Sequence, residues 1–187
     1  MADYSTIKGF TVQTLASDPI ISVAASGTWA SGGAMPTATN NMASFGTQTA
    51  AVGYGGTSPN FAHAETEEYD GTSWTASNDM NQVNRRMGGA GVQTNGITFG
   101  GLIASGSVTN KAENYDGTSW TEVANPGEAH PQTAGGGSQT AAWMATGTPG
   151  DKTSAEEWNG TSWTDANDCN SGQQQRAGSG PQTDAIM

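Results

Sequence analysis

Along residues 87–124 the apolar positions fall in four short stretches separated by turn-forming residues. They are MGGAGVQT at 87–94, ITFGG at 97–101, KAENY at 111–115 and SWTEVA at 119–124. Short stretches of this kind, bounded by Gly, Asn, Asp and Ser, read as strands. The first link, QTNG, holds an Asn-Gly pair that favours a tight hairpin turn. The last link is Asp-Gly-Thr-Ser, where Gly117 can take positive φ and the Asp116 carboxylate can bond nearby amides. The pattern therefore predicts a four-stranded antiparallel meander.

The meander repeats. EEYDGTSWTA ends at Ala76, ENYDGTSWTE at Glu122 and EEWNGTSWTD at Asp165. Trp29, Trp74, Trp120 and Trp163 are 45, 46 and 43 residues apart, and the pair Gln-Thr recurs at 48–49, 93–94, 139–140 and 182–183 with the same irregular rhythm. Two independent markers in one rhythm define a unit of about 45 residues, with whole units expected at 43–77, 88–124 and 134–166.

Composition fits this picture and excludes others. Of 187 residues, 34% are hydrophobic, 12% are charged and 27 are Gly, a mixture suited to short strands and many turns. The formal net charge of −11, with only six Lys and Arg, argues against nucleic acid, whose backbone is bound mainly by those residues. No apolar run has the length of a membrane span, and the N-terminal stretch has no apolar core of the signal-peptide kind. A single cysteine, Cys169, leaves no internal disulfide and no cysteine-based zinc cage. The fold class expected is all-β.

An aliphatic-aromatic strand ending in Gly-Gly (VGYGG at 52–56, ITFGG at 97–101), a Tyr-Asp turn and then a Trp resemble the kelch repeat. The third copy departs from it, with Thr146-Gly147 in place of the double glycine. The resemblance covers roughly residues 20–187 and implies a β-propeller of four-stranded antiparallel blades. The opening MADYSTIKGFTVQTLASDP and the phrase YDGTSWTE are also similar to kelch-like repeat proteins of marine phages, often assigned to tail fibres.

Within that frame the tryptophans are expected to wedge between neighbouring units, and the double glycines to sit where a side chain would not fit. Glu67, Glu113 and Glu156, each seven residues before its Trp, are read as framework, because a catalytic group is not normally needed three times. Cys169 shares its repeat position with Met35, Met80 and Pro126, which makes it a packing residue rather than a nucleophile.

The C-terminal RAGSGPQTDAIM begins a fourth unit, and IISVAA with GTWAS at 20–31 matches the end of one. The expectation is four blades, one of them composite and closed by the N- and C-terminal segments, which leaves no open sheet edge. A fragment of a longer propeller and completion by neighbouring chains remain as alternatives. Residues 1–19 form an N-terminal extension, a candidate attachment segment for a larger assembly, and 20–187 the propeller.

Antiparallel strands sort the connections onto two ends. One end carries the repeated Gln-Thr and Asp-Gly-Thr-Ser turns. The other carries loops that differ between copies, and binding surfaces are commonly built that way on a rigid scaffold. The basic residues Arg85, Arg86, Lys111, Lys152 and Arg176 fall in or beside those loops, as do His63, His130 and Phe61. These eight are the candidate ligand-binding residues, suited to an acidic or hydroxyl-rich ligand such as a glycan.

Propeller enzymes fit poorly. Copper oxidases with kelch repeats need histidine and tyrosine ligands with a modified cysteine, and the two histidines here lie in separate loops. Sialidases need several converging arginines. No phosphate-binding glycine loop or calcium loop appears, and no cofactor is expected. The resemblance implies a non-enzymatic virion protein, a phage tail appendage or fibre component. It would present its loops to a host-surface glycan or protein, meet other virion subunits through the N-terminal segment, and act outside the cell, with homo-oligomers open. The alternative is a connector or decoration protein that contacts only virion subunits; a glycan-active enzyme is a third class.

Overall fold

The computed structural model describes residues 31–128, 130–173 and 177–185. The chain divides into two compact units, Met1–Ser31 and Gly32–Met187, and the second is the one described below. The expected extension over 1–19 and the partial unit over 20–31 lie, Ser31 aside, outside the described residues, as do Arg176 and Ile186.

In chain order the strands are β1 (Ala43–Thr47), β2 (Ala50–Tyr54), β3 (Thr57–Ser58), β4 (Phe61–Ala62), β5 (Thr66–Tyr69), β6 (Trp74–Ser77), β7 (Asn84–Arg85) and β8 (Gly88–Val92). They continue with β9 (Asn95–Phe99), β10 (Leu102–Ile103), β11 (Ala112–Tyr115), β12 (Trp120–Glu122), β13 (Ala134–Ser138), β14 (Ala141–Ala145), β15 (Ala155–Trp158) and β16 (Trp163–Asp165). Three antiparallel four-stranded sheets result, ordered β1-β2-β5-β6, β8-β9-β11-β12 and β13-β14-β15-β16. The chain is all-β, and the three expected meanders are these sheets. Two small ladders, β3 with β4 and β7 with β10, sit in the connections. Among the described residues no ladder joins one four-stranded sheet to the next, and no helix is long and apolar enough to cross a membrane.

The first turn of the unit differs from its expected form. Val92 pairs with Asn95, so the two turn residues are Gln93 and Thr94, and Asn95-Gly96 belongs to β9. Gly96 is needed elsewhere: a Cβ there would lie 2.2 Å from the Phe45 ring of the first sheet. Gln93 has its own task. Its Nε2 donates to the carbonyls of Ala51 (3.3 Å) and Tyr69 (3.0 Å), clamping two strands of the preceding sheet. Gln139 does the same to Gly96 and Tyr115, and Gln182 to Ala142 and Trp158. The recurring Gln-Thr pair is thus a hydrogen-bonded clasp between successive units.

Apolar packing follows the same rhythm. Phe45, Val52 and Tyr54 of the first sheet cluster with Tyr115 and Trp120 of the second, all 8% exposed or less. Ile97 and Phe99 of the second cluster with Met144 and Trp158 of the third, and Trp163 packs against them. The core therefore lies between consecutive sheets, face to face. Glycine-rich leading strands make this possible, since Gly89 lies under Tyr54 and Gly135 under Phe99, where a Cβ would clash. Two of the three described wedge tryptophans donate backwards as well: Trp120 Nε1 to Thr66 Oγ1, and Trp163 Nε1 to the Ala124 carbonyl, each at 3.0 Å.

The double glycine is crowded, as expected, by the loop of the following unit. Gly55 and Gly100 have φ of 59° and 68°, and a Cβ would approach the Asn84 and His130 carbonyl oxygens at 2.6 and 2.4 Å. In the third copy Thr146 adopts the same left-handed backbone, φ 62°.

The C-terminal segment was expected to supply a strand. Gln182–Asp184 form a short 3₁₀ turn at the place of the Gln-Thr turn, Ser179 makes a single bridge, and residues 174–176 and 186–187 of the expected strands lie outside the described residues. The segment imitates the start of a unit. Gly180 meets the Asp184 carbonyl just as Gly46, Gly91 and Gly137 meet those of Ala50, Asn95 and Ala141. Gly178 lies under Trp143, whose Nε1 donates to the Gly180 carbonyl at 3.0 Å.

Candidate functional site

Each sheet presents two kinds of end. At the turn end, Asp70 Oδ1 accepts the amides of Thr72 and Ser73 at 2.8 Å, and Asp116 Oδ1 those of Thr118 and Ser119. Those amides hold both carboxyls below the usual carboxylate range. Asn159 makes the same two bonds at 2.9 Å, so Asn159-Gly160-Thr161 is the third copy of one turn. These side chains are occupied in shaping the backbone.

The opposite end is stitched together by main-chain bonds among its connections, within a unit and from one unit to the next. Gly56 N donates to the Asn84 carbonyl, Met80 N to Ala64, and Thr148 N to Pro131. A further series runs just ahead of each leading strand: Arg86 N donates to the Asn41 carbonyl, and Gln132 N to that of Arg86, both at 2.8 Å. Asn41, Arg86 and Gln132 are equivalent in the repeat, and all three take positive φ, 56°, 58° and 60°. Three non-glycine residues in that region form a distinctive seam.

Seven of the eight candidate binding residues are described, and they do not converge on one pocket. Phe61 stands 76% exposed on the β3–β4 hairpin. His63 faces Thr39 Oγ1 through Nε2 at 3.2 Å and the Glu65 carboxylate through Nδ1 at 3.8 Å. Lys111 pairs with Glu122 at 3.2 Å. His130 is 1% exposed, with Nδ1 on the Thr146 carbonyl and Nε2 between Ser154 Oγ and Glu128. Lys152 joins that group through Glu128 at 3.0 Å and, with Ser154 and His130, keeps the Glu128 carboxyl below its usual range.

Arg85 and Arg86 are different. Arg86 Nε donates to Asn41 Oδ1 at 3.3 Å, and Arg85 lies in β7, paired with Leu102 of β10. Neither guanidinium meets a carboxylate among the described residues, although the chain carries seventeen Asp and Glu. Two adjacent cations left unneutralised at the loop end are the clearest electrostatic feature for an anionic partner.

The framework glutamates are buried and accept backbone amides from the preceding loop, as their recurrence suggested. Cys169 packs against Ala145 and Ala155, also as expected. A hollow of about 250 Å³ lies beside the third sheet, lined by Trp143, Ala145, Ala155, Cys169, Gln182 and Ala185. In the first and second sheets the corresponding places, next to Tyr54 and Phe99, hold Trp120 and Trp163. Two features had no sequence signal: the left-handed seam, because Asn, Arg and Gln share no obvious character, and the Glu128–His130–Lys152–Ser154 group, whose members lie in different loops. No protein-family model matches the chain, and no curated protein is similar to it.

Proposed function

We propose that the chain is a four-bladed kelch-like β-propeller that serves as a non-enzymatic adhesion protein, presenting its variable loop end to an acidic or hydroxyl-rich surface glycan. The fourth blade is shared between the C-terminal segment and residues 20–31. Supporting this are the hairpin-like geometry at Gly180, the Gln182 clasp, and a hollow on the third sheet where the repeat calls for a tryptophan. Residues 1–19 are the attachment segment to other virion subunits. The virion setting, as a phage tail appendage, rests on the likeness of the opening and the YDGTSWTE phrase to phage repeat proteins.

The observation that carries the adhesion reading is the Arg85–Arg86 pair, which meets no carboxylate among the described residues of an acidic protein. A glycan array with the purified chain tests it. Binding to carboxylate-bearing glycans, lost in Arg85→Ala plus Arg86→Ala while the fold is kept, is the expected result. Absence of binding to any glycan or host surface would favour a connector within the particle instead.

A further inference from the structure

The three framework glutamates are not equally satisfied. Glu113 accepts Asn81 N and Asn81 Nδ2 on Oε2, each at 2.9 Å, and Gln82 N on Oε1 at 3.1 Å. Glu156 accepts Gly127 N on Oε2 at 2.8 Å and Glu128 N on Oε1 at 2.9 Å. Among the described residues Glu67 accepts only Thr37 N, on Oε1 at 3.3 Å, and its Oε2 is buried without a hydrogen-bond partner.

The repeat explains the difference. Thr37, Gln82 and Glu128 occupy one position, and the residue before each is Pro36, Asn81 or Gly127. Asn81 and Gly127 give their amide to Oε2. Proline has no amide hydrogen to give.

Glu67 is 5% exposed, and a buried acceptor left unpaired is costly. Its carboxyl lines a cavity of about 10 Å³ together with Met35, Thr39, Met42, His63 and Glu65. His63 Nδ1 is likewise buried without a hydrogen-bond partner and borders the same space. That volume suits about one water molecule, and two polar atoms facing it are the minimum to hold one.

We propose that Glu67 Oε2 and His63 Nδ1 hold a single buried water that takes the place of the amide Pro36 cannot supply, and that the pair acts as a proton-linked clamp on residues 37–39. Both partners grip that segment already: Glu67 through Thr37 N, His63 through Thr39 Oγ1. The charged or titratable groups facing the site are Glu65, Glu67, His63 and Tyr54, whose phenol burial keeps neutral by raising it well above its usual range, and the 35–42 segment adds none. Burial raises Glu67 above its usual range, Thr37 N opposes this, Glu65 adds to it and His63 opposes it. Protonation is thus easier in the folded state. The stability this group contributes is full below the unfolded carboxylate pKa and is lost as pH rises through the folded value. This inference is independent of the adhesion reading.

Carboxyl-detected NMR titration of the full chain tests it, with Pro36→Ala as the informative variant. Wild-type Glu67 should titrate above the usual carboxylate range. Pro36→Ala should bring it down, as the restored amide reaches Oε2, and should abolish the magnetisation transfer between a long-lived water and the Thr37 amide. Glu67→Gln should leave the urea midpoint at pH 7 unchanged or raised, whereas Glu113→Gln and Glu156→Gln lower it. A Glu67 that titrates in the usual range, or one unmoved by Pro36→Ala, overturns the proposal. So does a fall in midpoint for Glu67→Gln as large as that for Glu113→Gln.

Discussion

Replacing Trp120 by alanine removes the centre of the packing between the first and second sheets. The ring is 6% exposed and lies 4.9 Å from Tyr54, 4.8 Å from Tyr115 and 6.1 Å from Phe45, centroid to centroid. Truncating a buried aromatic of this size costs on the order of 3–5 kcal/mol. The Thr66 hydroxyl, in a residue 1% exposed, would also lose its Nε1 donor, which adds about 1 kcal/mol. Domains of ordinary stability have about 5–15 kcal/mol in total, so the variant should be severely weakened, with a melting temperature roughly 10–20 °C lower at this chain length. Urea unfolding followed by far-ultraviolet circular dichroism measures the loss directly. Trp120→Phe serves as a control: it keeps most of the ring contact, loses the hydrogen bond, and should cost about 1–2 kcal/mol. A loss below about 1.5 kcal/mol for the alanine variant, with an unchanged denaturant slope, would refute the wedge reading.

Other outcomes follow from the same repeat. Gln93→Ala and Gln139→Ala each remove two amide-to-carbonyl bonds between units, and both should cost about 1–2 kcal/mol in urea unfolding. Thr146→Gly should stabilise the chain by about 1 kcal/mol, because a side chain now sits at φ 62° and its buried hydroxyl has no partner. Gly100→Ala should do the reverse by at least about 2 kcal/mol, since φ 68° and the His130 carbonyl both resist a Cβ. Asp70 and Asp116 have lowered folded pKa values, so their contribution is present above the unfolded carboxylate pKa and fades as pH falls through the folded one. Asp116→Asn should therefore flatten the acid limb of a stability-against-pH curve, leaving a turn like the one Asn159 already forms.

The sheets were legible because their signals are local and repeated. Trp, Gln-Thr and Asp-Gly-Thr-Ser recur in register, and each copy does the same physical task in the structure. The Asn-Gly pair misled because its hairpin propensity is real, yet Gly96 is fixed by the Phe45 ring across the sheet interface, a tertiary demand invisible locally. At the C-terminus, residues 177–185 reproduce the turn geometry around Gly180 with Ser179 in a single bridge, and the rest of the expected strands lies outside the described residues. Charge placement was readable only by segment. Sequence put Lys111, Lys152 and His130 with the arginines, whereas the fold gives each of those three a carboxylate and buries His130. Pro36 was the quietest signal. Its meaning emerges only once Glu67, Glu113 and Glu156 are compared bond by bond.

In the proposed four-bladed ring, residues 20–31 belong to a fourth copy of the unit, with Trp29 in the position held by Trp74, Trp120 and Trp163. Urea unfolding of Trp29→Ala in the full chain tests that most directly. A loss on the order of 3–5 kcal/mol, matching a buried wedge, is the predicted result. A change within about 0.5 kcal/mol, as for an exposed residue in a leader segment, would contradict it.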